Sequence, residues 1–411
     1  MDDEADSRRR SAWPLMLAAF GVLMITMGGR QSMGLFVSPL TRATGLSIAS
    51  ISFAMAIGQF IWGASQPIFG AIADRWGAGR VLASGAILLA LGNVLTSLAR
   101  LEWQLVLALG VVLAIGAGAG SFAVLMGAAA QRLPAERRAF ASGFINAGGS
   151  FGQFLFAPLN SLMIASFGWG RALWLLAAAA LLTAPLSYWL RSPPRAPSRE
   201  RGAASGSLPA AGLRAQLGTA LRDRSYWCLH AGFFTCGFHI AFLVTHLPNE
   251  VALCGLSASV ASSALAIIGF SNIFGSLAAG YLGGRFQMKW ILFGLYFTRA
   301  VAVLAYIAAP KGAWTFYVFA AVLGETWLAT VPPTAGLTAK LFGTRYLATL
   351  FGLTLLSHQV GGFFGAWLGG IAVTWSGHYG WMWWADAALA LAAAFVNLPI
   401  REARVALVAP A

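Results

Sequence analysis

Two basic side chains stand at matching places in two long apolar runs. Arg30 lies nine residues before Pro39, in GGRQSMGLFVSP, and His239 lies nine residues before Pro248, in CGFHIAFLVTHLP. At an offset of 209 residues, Gly28 falls on Gly237, Arg30 on His239 and Pro39 on Pro248. If each proline marks the outer end of a helix, a rise of 1.5 Å per residue puts both groups about 14 Å below it, near mid-bilayer. Ionisable groups at that depth are costly and mark a pathway by default. An arginine fork holds both oxygens of a carboxylate, and a histidine titrates near neutral pH. Arg30, with Gln31 beside it, is therefore either a seat for an anion or one half of an internal pair. His239 either binds and couples protons or is satisfied by a backbone carbonyl.

Further polar groups fall at similar depth. His358 and Gln359 precede a glycine run, GGFFGAWLGG, and Asn146 precedes a similar one, GGSFGQF. Each serves a cavity or a helix contact. Gln59 and Gln66 share one helical face, and His246, two turns from His239 and nearer the outer mouth, is either a proton site on the entry path or an interfacial histidine. Arg299 stands 12 residues before Lys311 and Glu325 stands 14 after it. In an antiparallel hairpin those depths match, so the two charges are expected to pair. The pair either ties two helices together or lets Glu325 carry a proton and release Arg299 to a substrate. Asp386 is expected near the outer interface.

The elements that position these groups follow from composition. Of 411 residues, 58% are apolar and 10% are charged, far from the roughly 25% charge of soluble domains. Lipid is the natural solvent for such a chain. Twelve segments are long and apolar enough to span: 13–38, 47–73, 80–99, 103–130, 138–165, 170–190, 225–248, 257–283, 290–309, 313–338, 346–375 and 379–400. The first is too long for a cleavable signal. None alternates as a barrel strand would.

The net charge is +14. With the N-terminus in the cytoplasm, 21 Lys and Arg fall on the cytoplasmic side, 4 outside and 2 within spans, as the positive-inside bias requires. That split accounts for the basic balance without nucleic acid. Both termini are expected in the cytoplasm.

The arrangement predicts two six-span bundles, 1–190 and 225–411, joined by a basic linker, 191–224. Part of the linker, about 208–223, is either an amphipathic helix on the membrane surface or a solvated tether. GAIADRWGAGR (70–80) and GYLGGRFQMKW (280–290) repeat at an offset of 210, with Arg75 on Arg285. Two such halves are the plan of an alternating-access transporter.

Other classes lack their chemistry. Cys228, Cys236 and Cys254 match no disulfide or metal spacing. The five histidines form no His-x-x-x-His pair, and there is no phosphate-binding Gly-x-x-x-x-Gly-Lys-Ser/Thr loop. No enzyme, metal or cofactor is indicated, and a receptor role has no positive feature.

The loop Gly70-x-x-x-Asp74-Arg75-x-Gly77-x-x-Arg80 resembles the cytoplasmic signature of the major facilitator superfamily. The resemblance, with the spans and the second copy, covers essentially the whole chain. It implies an all-α fold in which spans 1, 4, 7 and 10 line a central cavity. It also implies that the 70–80 loop latches an outward-open state and that the monomer usually suffices. Within that superfamily, RQSMGLF (30–36), GFHIAFLVTHLP (237–248) and residues 330–370 resemble bacterial relatives of monocarboxylate transporters and oxalate–formate exchangers. This implies a small organic anion moved with or against a proton, across a bacterial inner membrane. Those families carry an arginine in span 8 and an acid one turn earlier; here the positions hold Ser276 and Asn272. The expectation is a carrier binding its substrate through Arg30, Gln31, Asn146, His239, Arg299, His358 and Gln359. Proton coupling falls to His239 and Glu325. The alternative is a proton-driven exporter of apolar or drug-like compounds.

Overall fold

The computed structural model describes residues 2–133, 135–191, 212–343 and 346–403. Among them every regular element is helical. The first bundle holds α1 (Asp2–Gln31), α2 (Ile48–Trp76), α3 (Ala78–Leu98) and α5 (Ala135–Phe167). In the same bundle α4 runs in pieces from Glu102 to Arg132, and α6 comprises Trp169–Leu181 and Thr183–Trp189. The second holds α7 (Arg224–Leu253), α8 (Ala258–Gly283), α9 (Met288–Ala308), α11 (Leu347–Ser376) and α12 (Gly380–Asn397). There α10 is split into Ala313–Thr326 and Val331–Phe342. Nine candidate spans among the described residues are long and apolar enough to cross a membrane.

Local chemistry sets the ends. The Ser47 side chain accepts from Ser50 N–H (3.0 Å) at the start of α2, and Asp223 does so from Tyr226 N–H (3.1 Å) at the start of α7. Gly77, at φ +92°, makes the reversal from α2 to α3 that a side chain would resist. Gly70, which opens the 70–80 motif, serves no close helix approach: a Cβ there would meet nothing within 4 Å.

Three spans depart from simple rods. Pro39 does not end α1. After Gln31 the chain tightens into a 3₁₀ turn, Met33–Phe36, and continues as Val37–Thr44. Pro39 sits in the first turn of that last piece, where its missing N–H is harmless. In α4, Val106–Leu113 is π-helical, and the helix is interrupted between Ala119 and Phe122. In α10, Pro332 and Pro333 cannot bond the carbonyls of Leu328 and Ala329, and the helix opens over residues 327–330.

Glycines build the two halves alike. In the first, a Cβ on Gly28 of α1 would lie 2.8 Å from the Gly152 carbonyl of α5. In the second, Cβ atoms on Gly237, Gly361 and Gly365 would crowd the backbones of His358, Phe234 and Phe238 where α7 meets α11. Backbones approach this closely only where side chains are absent. Gly28 and Gly237 are the residues that the 209-residue offset pairs.

Between the halves, α2 packs on α11 and α5 on α8. At the end away from the basic loops the halves touch. Gly34 fits against the carbonyls of Val244 and Thr245, Gly370 against Ala49, and Ser38 Oγ donates to Asn249 Oδ1 (3.1 Å). Toward the basic end they part: Gly70, Gly143, Gly280 and Gly352 have open space, and Ile68, Phe140 and Leu277 are exposed.

The linker helix Leu213–Arg222 is not a free surface tether. Gln216 is buried and its Nε2 donates to the Phe342 carbonyl at the end of α10. Residues 192–211 of the expected linker lie outside the described residues.

Overpacking a close contact costs about 1–3 kcal/mol. Gly34→Val is therefore expected to force α1 from α7 and favour opening at the far end. The check is labelling of Ala241→Cys by an impermeant maleimide applied from that side, with the three native cysteines replaced. Labelling no faster than in the Gly34 parent would contradict the packing argument.

Candidate functional site

A cavity of about 110 Å³ lies between the halves, roomy enough for several water-sized groups. Arg30 of α1 reaches it half-buried. Its Nη2 donates to Gln59 Oε1 of α2, and its guanidinium lies 3.9 Å from the Trp62 ring centroid. The stack and the bond fix the fork in place. Among the described residues no carboxylate pairs with Arg30, and no other Lys, Arg, Asp or Glu lines the cavity. Gln31 and His358 also line it, and His358 Nδ1 has no hydrogen-bond partner. The remaining wall is mostly apolar, from Met27, Met33 and Met55 to Leu109 and Leu113 of the π-helical turn.

His239 is not on that wall. The next residues of α7, Ile240 and Ala241, line the cavity, while His239 points back into the second bundle, fully buried. Its Nδ1 lies 2.6 Å from Asp386 Oδ2 on α12. Asp386 is also fully buried, so it does not reach the outer interface. The match of Arg30 with His239 holds for the backbone and fails for the chemistry, because a carboxylate on α12 draws the imidazole away.

The Arg299–Glu325 pair does not form. Glu325 is exposed, whereas Arg299 is fully buried and its Nη2 donates to the carbonyls of Thr326 (2.6 Å) and Trp327 (3.3 Å). These are backbone groups at the opening in α10. Equal depth in a hairpin did not decide the partner; unsatisfied carbonyls at a helix end did. Asn272 of α8 completes the junction. Its Oδ1 accepts from Leu328 N–H (3.0 Å), and its Nδ2 donates to Ser150 Oγ of α5 (2.8 Å).

Neither Gln359 nor Asn146 lines the cavity. Gln359 is buried against Gly63 of α2, and Gln59 lies against Gly362 of α11, a reciprocal exchange across the halves. His246 is satisfied at both nitrogens, by the Ala366 carbonyl (2.7 Å) and Tyr379 Oη (3.0 Å), and so is buried rather than interfacial. In the 70–80 loop, Arg75 and Arg80 are exposed and the Arg75 guanidinium lies 5.7 Å from the Trp76 ring centroid. The Asp74 side chain lies outside the described residues. The sequence reading missed Trp62, Trp327 and Asp386 as partners. The doubled proline at 332–333 was the signal available for the broken helix that places Trp327.

Two glycine-zipped bundles around a central, sparsely charged cavity define a class of secondary transporters. The family model described as Major Facilitator Superfamily matches residues 18–366, and the chain belongs to that family. Rat (Rattus norvegicus) monocarboxylate transporter 13 is 28% identical over 377 residues, covering 89% of this chain and 83% of its own length. The oxalate:formate antiporter of Oxalobacter formigenes is 25% identical over 381 residues, covering 90% and 86%. A bacterial homolog of the human lysosomal transporter Spinster, solved inward-facing and unoccupied, superposes with a TM-score of 0.73 at 18% identity, covering 95% of both chains. A D-xylose–proton symporter gives 0.71 at 16%, covering 95% and 97%.

Leaving a buried carbonyl without its donor costs about 1–3 kcal/mol for each such group, against about 0.5 kcal/mol for an exposed substitution. Arg299→Met is thus expected to lower the unfolding midpoint in detergent severely and Glu325→Gln hardly at all. Equal losses would restore the ion pair.

Proposed function

We propose that the chain carries a small organic anion, a monocarboxylate or short dicarboxylate, by alternating access. The observation that carries this reading is Arg30. It is a cation held by Gln59 and Trp62, without a carboxylate partner, facing a cavity whose wall is otherwise nearly apolar. In such surroundings a fixed guanidinium favours a planar anion that takes two hydrogen bonds at once. His358 lines the same cavity and its Nδ1 has no partner within the protein, so a turn of its ring offers a second contact. The named relatives that handle monocarboxylates, oxalate and formate support the substrate class. Arg30 takes the place of the arginine that Ser276 does not provide.

With the basic loops in the cytoplasm, the open end is inward and the closed contacts of Gly34, Ser38 and Asn249 form the outer gate. The exposure of Arg75 and Arg80 in the 70–80 loop fits this state, since the latch belongs to the opposite one. Proton coupling is the driving force of this reading, and without a phosphate-binding loop ATP has no support in the sequence. The Oxalobacter formigenes relative supports a multi-pass place in a bacterial inner membrane, and one chain contains the complete cavity.

The test is the unfolding midpoint of purified protein against formate, acetate, lactate, pyruvate and oxalate, for wild type and Arg30→Ala. A ligand at about 100 times its dissociation constant adds about 2.7 kcal/mol of stability. Stabilisation by one of these anions that Arg30→Ala abolishes is the expected result. Equal stabilisation of both proteins would separate Arg30 from the substrate. The methionine- and leucine-rich wall favours a second reading, an exporter of apolar compounds. Stabilisation of both proteins by apolar ligands alone would select it.

A further inference from the structure

Behind the cavity wall lies a second group of ionisable residues that contacts no substrate. His239 and Asp386 are fully buried and bonded at 2.6 Å. A carboxylate only accepts, so it fixes the imidazole as the Nδ1–H tautomer and leaves Nε2 as a bare lone pair. Nε2 has no hydrogen-bond partner, and neither has Asp386 Oδ1. One side chain separates this pair from the cavity. Trp327 lines the cavity, and its ring centroid lies 5.9 Å from that of His239.

The groups around His239 come from every helix packed on it. Asp386 faces it from α12. Arg299 of α9, with its guanidinium 5.4 Å from the Tyr296 ring centroid, donates to the carbonyl of Trp327, whose ring adjoins His239. Cys236 is one turn away on α7 itself, bonded to Thr330 of α10 at 3.3 Å. His358 of α11 packs where Gly237 meets its backbone. Over Ala258–Gly283, α8 carries no charged residue. Across the cavity stands Arg30.

Charge counting gives the group its meaning. With His239 neutral, Asp386 and Arg299 balance. A proton on Nε2 leaves the pocket with one positive charge in a low-dielectric interior, which is costly alone. An anion in the adjoining cavity offsets it. Conversely, an anion beside Arg30 is held more strongly when His239 is protonated, since the coupling free energy is the same from either side.

We infer that the His239–Asp386 pair is the proton seat of this transporter, coupled through Trp327 to the charge of the anion in the cavity. The inference rests on the anion reading for its transport consequence, though not for proton uptake itself. The proton enters from water that reaches the cavity, adds to His239 Nε2 and leaves from the same atom when the cavity faces the other side. No other bond changes. His239 and Asp386 are positioning and coupling residues, because neither touches the substrate.

Two measurements decide it. The first needs no ligand. Protonated imidazole quenches a neighbouring indole, so wild-type tryptophan emission in detergent should show a pH step that disappears in Trp327→Phe and in His239→Gln. Absence of the step from wild type, or its persistence in His239→Gln, overturns the proton seat. The second uses proteoliposomes with labelled lactate, pyruvate and formate. His239→Gln and Asp386→Asn should lose accumulation driven by a pH gradient, falling to equal concentrations inside and out, while anion-for-anion exchange continues. Gradient-driven accumulation at the wild-type ratio in both variants overturns the coupling. If His239→Gln does not fold, Asp386→Asn is read alone in both measurements. If wild type moves none of these anions, the substrate reading fails and the emission titration still judges the proton seat.

Discussion

The arrangement around the cavity depends on one buried arginine at a broken helix. Two consecutive prolines follow the opening of α10 over residues 327–330, and the carbonyls of Thr326 and Trp327 at that opening accept from Arg299. A guanidinium deep in a bundle and open carbonyls at the same depth are each expensive alone. Arg299 Nη2 supplies a donor to both carbonyls, while its Nε and Nη1 find no hydrogen-bond partner, and Asn272 takes the remaining amide of Leu328. The result is an irregular turn in the middle of a span, tolerated because it is enclosed by protein. That turn sets Trp327 into the cavity wall and separates the substrate space from the His239–Asp386 pocket.

The two bundles share a backbone plan and divide the chemistry. Gly28 and Gly237 occupy equivalent positions, and each admits a neighbouring helix to close range. One step along, the equivalent residues part company. Arg30 is stacked on Trp62 and faces the cavity; His239 is bonded to Asp386 and faces away. The first half thus presents a guanidinium to the cavity, and the second places a hydrogen-bonded imidazole–carboxylate pair behind it.

Much of this was legible in the sequence, for identifiable reasons. Helical spans follow from long apolar runs that lipid selects. The pairing of halves survives in the spacing of glycines and prolines because close backbone contact tolerates few alternatives. Arg30 stood out because an arginine at mid-depth has few uses. What remained hidden were partners brought from distant segments. Asp386 looked interfacial by its place in span 12, yet it meets a residue 147 positions away. Glu325 and Arg299 matched in depth but not in face, and a linear reading of depth has no rotational coordinate. The continuation of α1 beyond Pro39 shows the same limit. A proline ends a helix only when its position in the turn requires a donor.

The contacts that close the far end carry a consequence of their own. They consist of glycine against backbone carbonyls, aromatic packing of Phe53 on Trp367 at 5.8 Å, and one neutral hydrogen bond from Ser38 to Asn249. No ion pair joins the halves among the described residues. Attractions between charges weaken as electrolyte screens them, whereas steric fit and neutral dipoles at short range are nearly indifferent to it. The contacts at this end are therefore held by shape, and their fit stays constant as the ionic content of the surroundings rises and falls.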